Sequence, residues 1–355
     1  MSATRRRLLT ASISLAISRV SSRYIRPAAA AQKSITFVAY GGLFQDLYEP
    51  GIVEPFRRTH SDVSVFYDAV PSSTQALALL RRQRERPEID VVLLDLVAAR
   101  TATDEGLLEP LPPGSMPVLG ELAQANLFSG VAGPALFTEP LVMLFDAGRA
   151  RPAPTWKTLW SGMDERSIAI PAPPDSIGVA FTLVAGRLFG GGNEPRAVAD
   201  GITAINELSR QIVTWDPRPD VYRFIGGGDA KMGVGWNMSA QVTSDRLGGR
   251  LGVVFPTEGT ISRVSTVNLV KGSRQPEAAR QFIAWLLGAE AQRTMVEQMF
   301  LGPVNAKARY TEGALSRTAN TRERAARAMP VDWVAVNSIR DDIIRRWREV
   351  IPGSG

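Results

Sequence analysis

Short apolar runs alternate with amphipathic segments along the first part of the chain. Residues 35–39 and 63–67 have the apolar character of strands, and the run at 89–94 is almost continuously apolar, as in a strand buried on both faces. Between these runs, residues 43–56 and 72–86 carry apolar side chains at helical spacing. This order predicts a parallel sheet whose strands are joined by right-handed helical crossovers.

A second series of the same kind begins at residues 168–170. A helix is predicted over about 178–189, because glycines follow at 190–192, and strands are predicted at 232–236 and 251–255. Two α/β units joined by extended segments indicate two lobes with a cleft between them. Clefts of this kind, outside the carboxyl ends of parallel strands, bind small ligands.

The C-terminal part of the chain is predicted to be helical. Pro276 occupies a first helical position, and the apolar residues between 278 and 286 mark one helical face. The tail at 312–350 is charge-rich, and Trp333 and Trp347 are among the apolar side chains available to dock it.

The composition excludes whole classes of chemistry. Of the 355 residues, 45% are hydrophobic and 21% are charged, as in an ordinary globular protein. The chain has no Cys, which excludes disulfides, thiolate catalysis, Cys-ligated metal clusters and a lipid-modified N-terminal Cys. The single His, His60, lies in a polar stretch predicted to be at the surface. We therefore expect no metal site, no cofactor and no Ser-His-Asp triad.

The net charge of +6 is concentrated at the N-terminus. Residues 1–31 contain six arginines and no acidic residue, so the remaining chain has equal numbers of basic and acidic side chains. A neutral body has no net field that attracts polyanions, so nucleic acid is not an expected partner.

The N-terminal segment is similar to a twin-arginine export signal. An arginine cluster at 5–7 precedes a weakly apolar, Ser-rich stretch at 8–17, and four alanines at 28–31 offer a cleavage site; a disordered basic tail is the alternative. We predict an exported periplasmic protein without a lipid anchor that begins near Gln32. N-terminal sequencing of the exported protein checks this, and a start at Ser2 would contradict it.

Several short motifs resemble, in their order and spacing, those of one protein family. They lie at 37–42, 90–95, 105–111, 154–160, 235–240, 256–259, 277–282 and 302–305. With them the chain resembles the extracellular solute-binding proteins of ABC importers, in the branch that contains the spermidine/putrescine-binding proteins.

This resemblance implies an α/β, two-lobed fold of the type II periplasmic-binding-protein class, each lobe a mixed or mostly parallel sheet flanked by helices. Lobe 1 is expected to comprise residues 33–138 and 262–355, including the C-terminal helices, and lobe 2 residues 139–261. The implied function is the capture of a small polar solute in the cleft and its delivery to an inner-membrane permease. The protein is then expected to be a monomer and not an enzyme.

The resemblance also indicates candidate ligand-binding residues. Polyamine binders of the family use aromatic rings and carboxylates, because ammonium groups favour π faces and desolvated cations need acidic partners. Trp236 and Asn237 match the family's Trp-Asn motif, and Asp175, with Ser176 beside it, matches a family carboxylate in lobe 2. The alternatives are a core tryptophan for Trp236 and a helix N-cap for Asp175.

Two departures from the family pattern change the expected ligand. Where polyamine binders have an aromatic residue and then an Asp, this chain has Arg263 and Ser265. A guanidinium repels a diamine and suits a carboxylate, phosphonate or sulfonate, and Tyr40, Gly41 and Gly42 precede a helix whose N-terminus could add donors. A salt bridge is the alternative for Arg263. We predict an anionic or zwitterionic ligand, with a polyamine, a sensor subunit or an enzyme on the same fold as alternatives.

Overall fold

The computed structural model describes residues 33–161, 164–191 and 196–354. The predicted export signal at 1–31 lies outside the described residues, and so does Gly192 of the predicted glycine stop. None of the helices in the described parts of the chain is both long and apolar enough to cross a membrane.

Ten strands occur within the described residues, and they form one hydrogen-bonded sheet. They are β1 (Lys33–Tyr40), β2 (Val63–Val70), β3 (Val91–Asp95), β4 (Leu108–Glu109), β5 (Ala135–Asp146), β6 (Ile168–Ala169), β7 (Ile212–Thr214), β8 (Met232–Trp236), β9 (Leu251–Val254) and β10 (Ser262–Val270). Their order is β2, β1, β3, β10, β5, β8, β6 and β7, with β4 beside β10 and β9 beside β5. Strands β2 and β3 are parallel to β1, as predicted, but β10 is antiparallel to both of its main neighbours, which makes the sheet mixed.

Helices cover both faces of this sheet. They are α1 (Leu43–Tyr48), α2 (Glu54–Thr59), α3 (Ser73–Arg82), α4 (Leu96–Asp104), α5 (Ser176–Phe189), α6 (Arg196–Asn206), α7 (Val221–Gly227), α8 (Asn237–Arg246), α9 (Pro276–Leu287), α10 (Ala289–Met299), α11 (Glu312–Leu315), α12 (Arg322–Ala325), α13 (Trp333–Ser338) and α14 (Arg340–Val350). A single π-helical turn, Glu49–Val53, joins α1 to α2.

Strands β1 and β3, in the first half of the sheet, are buried on both faces. Phe37 of β1 and Leu93 of β3 lie in an apolar cluster with α9 and α10, whereas Val38 and Leu94 lie in another cluster with α3 and α4. Successive side chains of a strand point to opposite faces, so an apolar run fills both clusters. The structure thus confirms the prediction that residues 89–94 contain a strand buried on both sides.

Strand β5 belongs to both halves of the sheet. Residues 135–140 pair with β10, whereas residues 141–146 pair with β8 and β9. The chain therefore crosses between the halves near Pro140 and returns just before Ser262. We call the half with β1 to β4 and β10 lobe 1, and the half with β6 to β9 lobe 2.

The end of the C-terminal tail packs on lobe 2. Ile343 and Trp347 of α14 are buried in the apolar cluster that surrounds β8. The indole Nε1 of Trp347 donates a hydrogen bond to Thr182 Oγ1 of α5 at 2.8 Å, and its ring meets Trp215 edge-on with centroids 5.3 Å apart. This differs from the predicted division, in which all of 262–355 belongs to lobe 1. The reason is that Ile343 and Trp347, four residues apart, form one apolar helix face that lobe 2 covers.

Trp347 is the clearest test of this docking. We expect Trp347→Ala to lower the free energy of unfolding by about 3–5 kcal/mol, since it empties a fully buried aromatic site and leaves Thr182 without its donor. Val350→Ala on the same helix is the control, because Val350 is 41% exposed and its truncation should change stability by less than about 0.5 kcal/mol. Urea unfolding measures both variants, and equal effects would contradict the docking.

Candidate functional site in the interlobe cleft

Polar side chains gather where the two lobes meet. Strands β1, β3 and β8 end there, and the carboxyl ends of strands are the edge at which α/β sheets bind ligands. The shared strand β5 and its partner β10 pass through the same region. We call the side chains contributed by these strands and by the start of α5 the cleft site: Tyr40, Asp95, Glu139, Asp175, Ser176, Trp236 and Arg263.

An ion pair between the connecting strands forms the centre of the cleft site. Arg263 of β10 and Glu139 of β5 are register partners, and Arg263 donates from Nε at 2.8 Å and from Nη2 at 2.5 Å to Oε2 of Glu139. Glu139 is only 1% exposed, whereas 35% of the Arg263 side chain is accessible. Burial lowers the pKa of Arg263, but the charge and hydrogen bond of Glu139, together with Tyr40 and Tyr222, outweigh this effect, and the pKa is raised. The salt-bridge alternative for Arg263 therefore holds, with the guanidinium still open to the cleft.

Trp236 lies under this guanidinium. The Cζ atom of Arg263 is 4.7 Å from the centre of the Trp236 ring, a distance suited to a cation–π contact. The indole Nε1 donates to Ser176 Oγ at 3.0 Å, and the backbone N–H of Trp236 donates to the Tyr222 hydroxyl at 2.8 Å. Trp236 is 4% exposed, so it forms the floor of the site.

Asp175 supplies a carboxylate from lobe 2. Its Oδ1 accepts from the backbone N–H of Ile177 at 2.7 Å, so Asp175 is the N-cap of α5 as the alternative prediction held. Asp175 is exposed to solvent, yet desolvation by the surrounding protein raises the pKa of this carboxyl, against the opposing effects of the Ile177 N–H, Arg263 and Arg340. Within the described residues Oδ2 has no hydrogen-bond partner, so one carboxylate oxygen remains for a ligand.

Tyr40 contributes a hydroxyl from lobe 1. Its Oη lies 2.8 Å from Ser73 Oγ, which also accepts from the backbone N–H of Asp95 at 2.8 Å. Burial and the nearby Asp95 raise the pKa of Tyr40 to about 12, although hydrogen bonds to Ser73 and Ser265 and the charge of Arg263 act in the opposite direction. Tyr40 is therefore a neutral hydroxyl at physiological pH. Ser265 is 2% exposed, so its hydrogen bond to Tyr40 is made from inside the protein.

The structure corrects the predicted role of Asn237. This side chain is fully buried, and its Nδ2 donates to the carbonyls of Phe300 at 2.9 Å and Arg317 at 2.8 Å. Its Oδ1 accepts from Gln241. Because these groups are used inside the protein, Asn237 joins α8 to the C-terminal segment and is not available to a ligand.

The glycine pair after β1 provides fewer backbone donors for a ligand than the sequence indicates. The backbone N–H of Gly41 donates to the carbonyl of Val70 at 3.0 Å, so it is not a free donor. Gly42 has a φ of 65°, which lets the chain turn into α1. Helix α1 has six residues, and its N-terminus is therefore a weak anion site at most.

Several cleft residues were not predicted from the sequence. Glu139 is a single charge inside the apolar run of β5, and Asp95 is the acidic residue that closes the apolar run of β3 and caps α4 through Ala98. Both patterns are visible in the sequence. Tyr222 and Arg340 carry no such signal. Burial raises the pKa of Tyr222, with a further contribution from the Glu139 carboxylate, and Arg340 donates to the Pro174 carbonyl at 2.7 Å.

Across all the residues that the structure describes, no three or more His, Asp or Glu side chains are arranged to bind a metal ion. The ring of His60 is stacked on Phe56 with centroids 4.3 Å apart, so His60 is partly buried rather than a free surface side chain.

Comparison with known proteins identifies the relatives of this chain. The family model described as bacterial extracellular solute-binding protein matches residues 51–319. A gamma-aminobutyric acid-binding protein of Pseudomonas aeruginosa is 24% identical over 325 residues, which are 86% of each chain. An ABC transporter substrate-binding protein from Bradyrhizobium japonicum has a TM-score of 0.75 at 18% identity, covering 90% of this chain and 99% of that one. The structure of the Atu4243-GABA receptor has a TM-score of 0.72, also at 18% identity, covering 89% and 96%. At these identities the structural matches establish the two-lobed fold.

Proposed function

The chain belongs to the family of bacterial extracellular solute-binding proteins, and we propose that its ligand is a small zwitterion with one carboxylate and one ammonium group. It is a solute-binding component of an ABC transporter rather than an enzyme, as its family and structural neighbours are. In the proposal, Arg263 binds the ligand's carboxylate, and Asp175 binds its ammonium group.

The observation that carries this proposal is the mixture of charges in the cleft site. The guanidinium of Arg263 lies among the carboxylates of Glu139, Asp175 and Asp95, and it is close enough to affect the pKa of Asp175. Arg340 also acts on Asp175, but it donates to the Pro174 carbonyl. A desolvated charge needs an opposite partner. A dianion would meet a surplus of carboxylates and a diamine would leave the free end of Arg263 without a partner, whereas a zwitterion finds a partner for each end.

Free hydrogen-bonding atoms point to the same ligand class. Glu139 accepts hydrogen bonds from Nε and Nη2 of Arg263. Nη1 makes no hydrogen bond or ion pair with the residues that the structure describes. Asp175 uses Oδ1 for the helix cap and keeps Oδ2. Arg263 therefore keeps Nη1 as a donor for a ligand, and Asp175 keeps Oδ2 as an acceptor.

The named ligands of two relatives support this class. The Pseudomonas aeruginosa relative is a gamma-aminobutyric acid-binding protein, and one structural neighbour is a GABA receptor. Gamma-aminobutyrate is a four-carbon zwitterion. We favour this class over the polyamines of the spermidine/putrescine-binding branch, because Arg263 and Ser265 stand where those binders have an aromatic residue and an Asp.

The remaining parts of the proposal concern export and partners. We infer that residues 1–31 direct export by the twin-arginine route, on the arginine cluster and alanines of that segment. The exported, unanchored protein would act as a monomer and deliver its ligand to an inner-membrane permease, which recognises the closed lobes.

A matched set of four-carbon ligands tests the charge of the ligand. We expect isothermal titration to show binding of 4-aminobutyrate at least about tenfold tighter than putrescine or succinate, which carry two ammonium or two carboxylate groups, since one misplaced charge costs about 1.4 kcal/mol or more. Arg263→Ala should weaken 4-aminobutyrate by about 2–5 kcal/mol. Arg218→Ala, at a side chain that is 78% exposed, should leave the affinity unchanged.

Other results of this titration refute the proposal. If putrescine binds most tightly, or if Arg263→Ala binds 4-aminobutyrate as well as the unmodified protein, the ligand is a polyamine or is held elsewhere. If none of the three compounds binds, the proposed ligand class is wrong.

The raised pKa of Asp175 gives a pH test for the ammonium end. A carboxyl with a raised pKa takes up its proton at a higher pH than the ordinary value of about 3.9, and the protonated form cannot neutralise an ammonium group. Affinity for 4-aminobutyrate should therefore fall as the pH decreases from 7.5 to 5. Asp175→Asn, which keeps a capping side chain for α5, should bind weakly with little pH dependence. Asp216→Asn is the control, since Asp216 is 71% exposed. A pH profile that Asp175→Asn leaves unchanged would exclude Asp175 as the ammonium partner.

A further inference from the structure

We propose that Glu139 determines the charge selectivity of the cleft site, by fixing the orientation of Arg263 and cancelling its charge so that dianions are rejected. This inference rests on the proposed function, because it needs Arg263 to bind the carboxylate of the ligand. It concerns a residue that is buried beneath the site and does not itself contact the ligand, and Glu139 is therefore a positioning residue.

The position of Glu139 on the strand holds Arg263 in one orientation. The two residues face each other across β5 and β10, and the side chains of opposed residues lie on the same face of a sheet, within reach of each other. Both Nε and Nη2 of Arg263 donate to the same oxygen of Glu139. The guanidinium is thus anchored along the edge that carries Nε and Nη2, with its Cζ over the Trp236 ring, and Nη1 is the group that Glu139 does not bind.

The other oxygen of Glu139 is also used. Its Oε1 accepts from the backbone N–H of Met238 at 2.9 Å, at the start of α8. A carboxylate at a helix N-terminus is stabilised by the helix dipole and by the N–H groups there. Glu139 is 1% exposed, and both of its oxygens are bound by the protein, one by Arg263 and the other by the Met238 N–H.

The charge of Glu139 has a direct consequence for ligands. Without it, Arg263 would present a full positive charge to the cleft and would attract any anion. With it, the Arg263–Glu139 pair is formally neutral. The remaining charges are the carboxylates of Asp175 and Asp95 and the guanidinium of Arg340, which already donates to the Pro174 carbonyl. One ligand carboxylate can still bind the free end of Arg263, but a second carboxylate meets more negative than positive charge, which is how a site excludes a competitor of the wrong charge.

Glu139→Gln tests this inference because glutamine has the same shape without the charge. We expect the ratio of succinate affinity to 4-aminobutyrate affinity to increase by about tenfold or more, as the removal of one nearby negative charge predicts. Isothermal titration measures both ligands against the unmodified protein and the variant, after circular dichroism has shown that the variant is folded. A folded Glu139→Gln protein with an unchanged ratio overturns the inference.

Glu139→Asp separates charge from position and serves if Glu139→Gln does not fold. Aspartate keeps the charge but is one methylene shorter, so we expect weaker binding of 4-aminobutyrate with the succinate ratio preserved within about twofold. A shift of Glu139→Asp toward succinate overturns the inference, since the charge is conserved. If the unmodified protein binds 4-aminobutyrate through Arg263 but these variants behave otherwise than expected, only the role of Glu139 fails. If binding does not need Arg263, the proposed function fails as well.

Discussion

A carboxylate with 1% of its surface exposed must be neutralised where it stands, and Glu139 is such a group at the point where the chain crosses between the lobes. Its partners come from different elements: Arg263 from the returning strand and the Met238 N–H from the start of α8. Removing one partner of a buried ion pair costs about 3–5 kcal/mol, because the other charge is left uncompensated. The relative placement of β5, β10 and α8, and with it the position of Trp236, therefore depends on this pair.

The parts of the fold that sequence predicts well are those with a local pattern. Strands β1 and β3 have apolar runs that alternate between two buried faces, and β2 buries Val63 and Val65 on one of them, so their existence and parallel order follow from the residues themselves. The lobe on which the C-terminal tail packs does not follow from the sequence in this way. Ile343 and Trp347 show that α14 has an apolar face, but either lobe could cover such a face. Which lobe does so depends on complementary surfaces formed by residues such as Thr182 and Trp215, more than 130 positions earlier in the sequence.

The same distinction applies to the cleft site. Arg263 and Trp236 could be nominated from residue type and family pattern, because a guanidinium and an indole have specific ligand chemistry. Asn237 was nominated in the same way, but its amide serves two backbone carbonyls of the C-terminal segment, and one sequence does not show which buried carbonyls need donors. Glu139 could have been identified from the sequence, since a lone charge within an apolar strand has to have a partner. Its partner, 124 positions away, is known only from the strand register.

The charged groups of the cleft are each partly satisfied by the protein itself. Arg263 is bound along one edge by Glu139, and Asp175 is bound through one oxygen by the start of α5. Side chains held in this way lose little conformational freedom when a ligand binds, and such pre-organisation favours affinity. Because Arg263 stands on a connecting strand and Asp175 on lobe 2, a ligand that engages both also links lobe 2 to the crossing between the lobes. The closed arrangement is then stabilised only to the extent that both ends of the ligand find their partners. Under the proposed function, recognition of a zwitterion and closure are consequently one event.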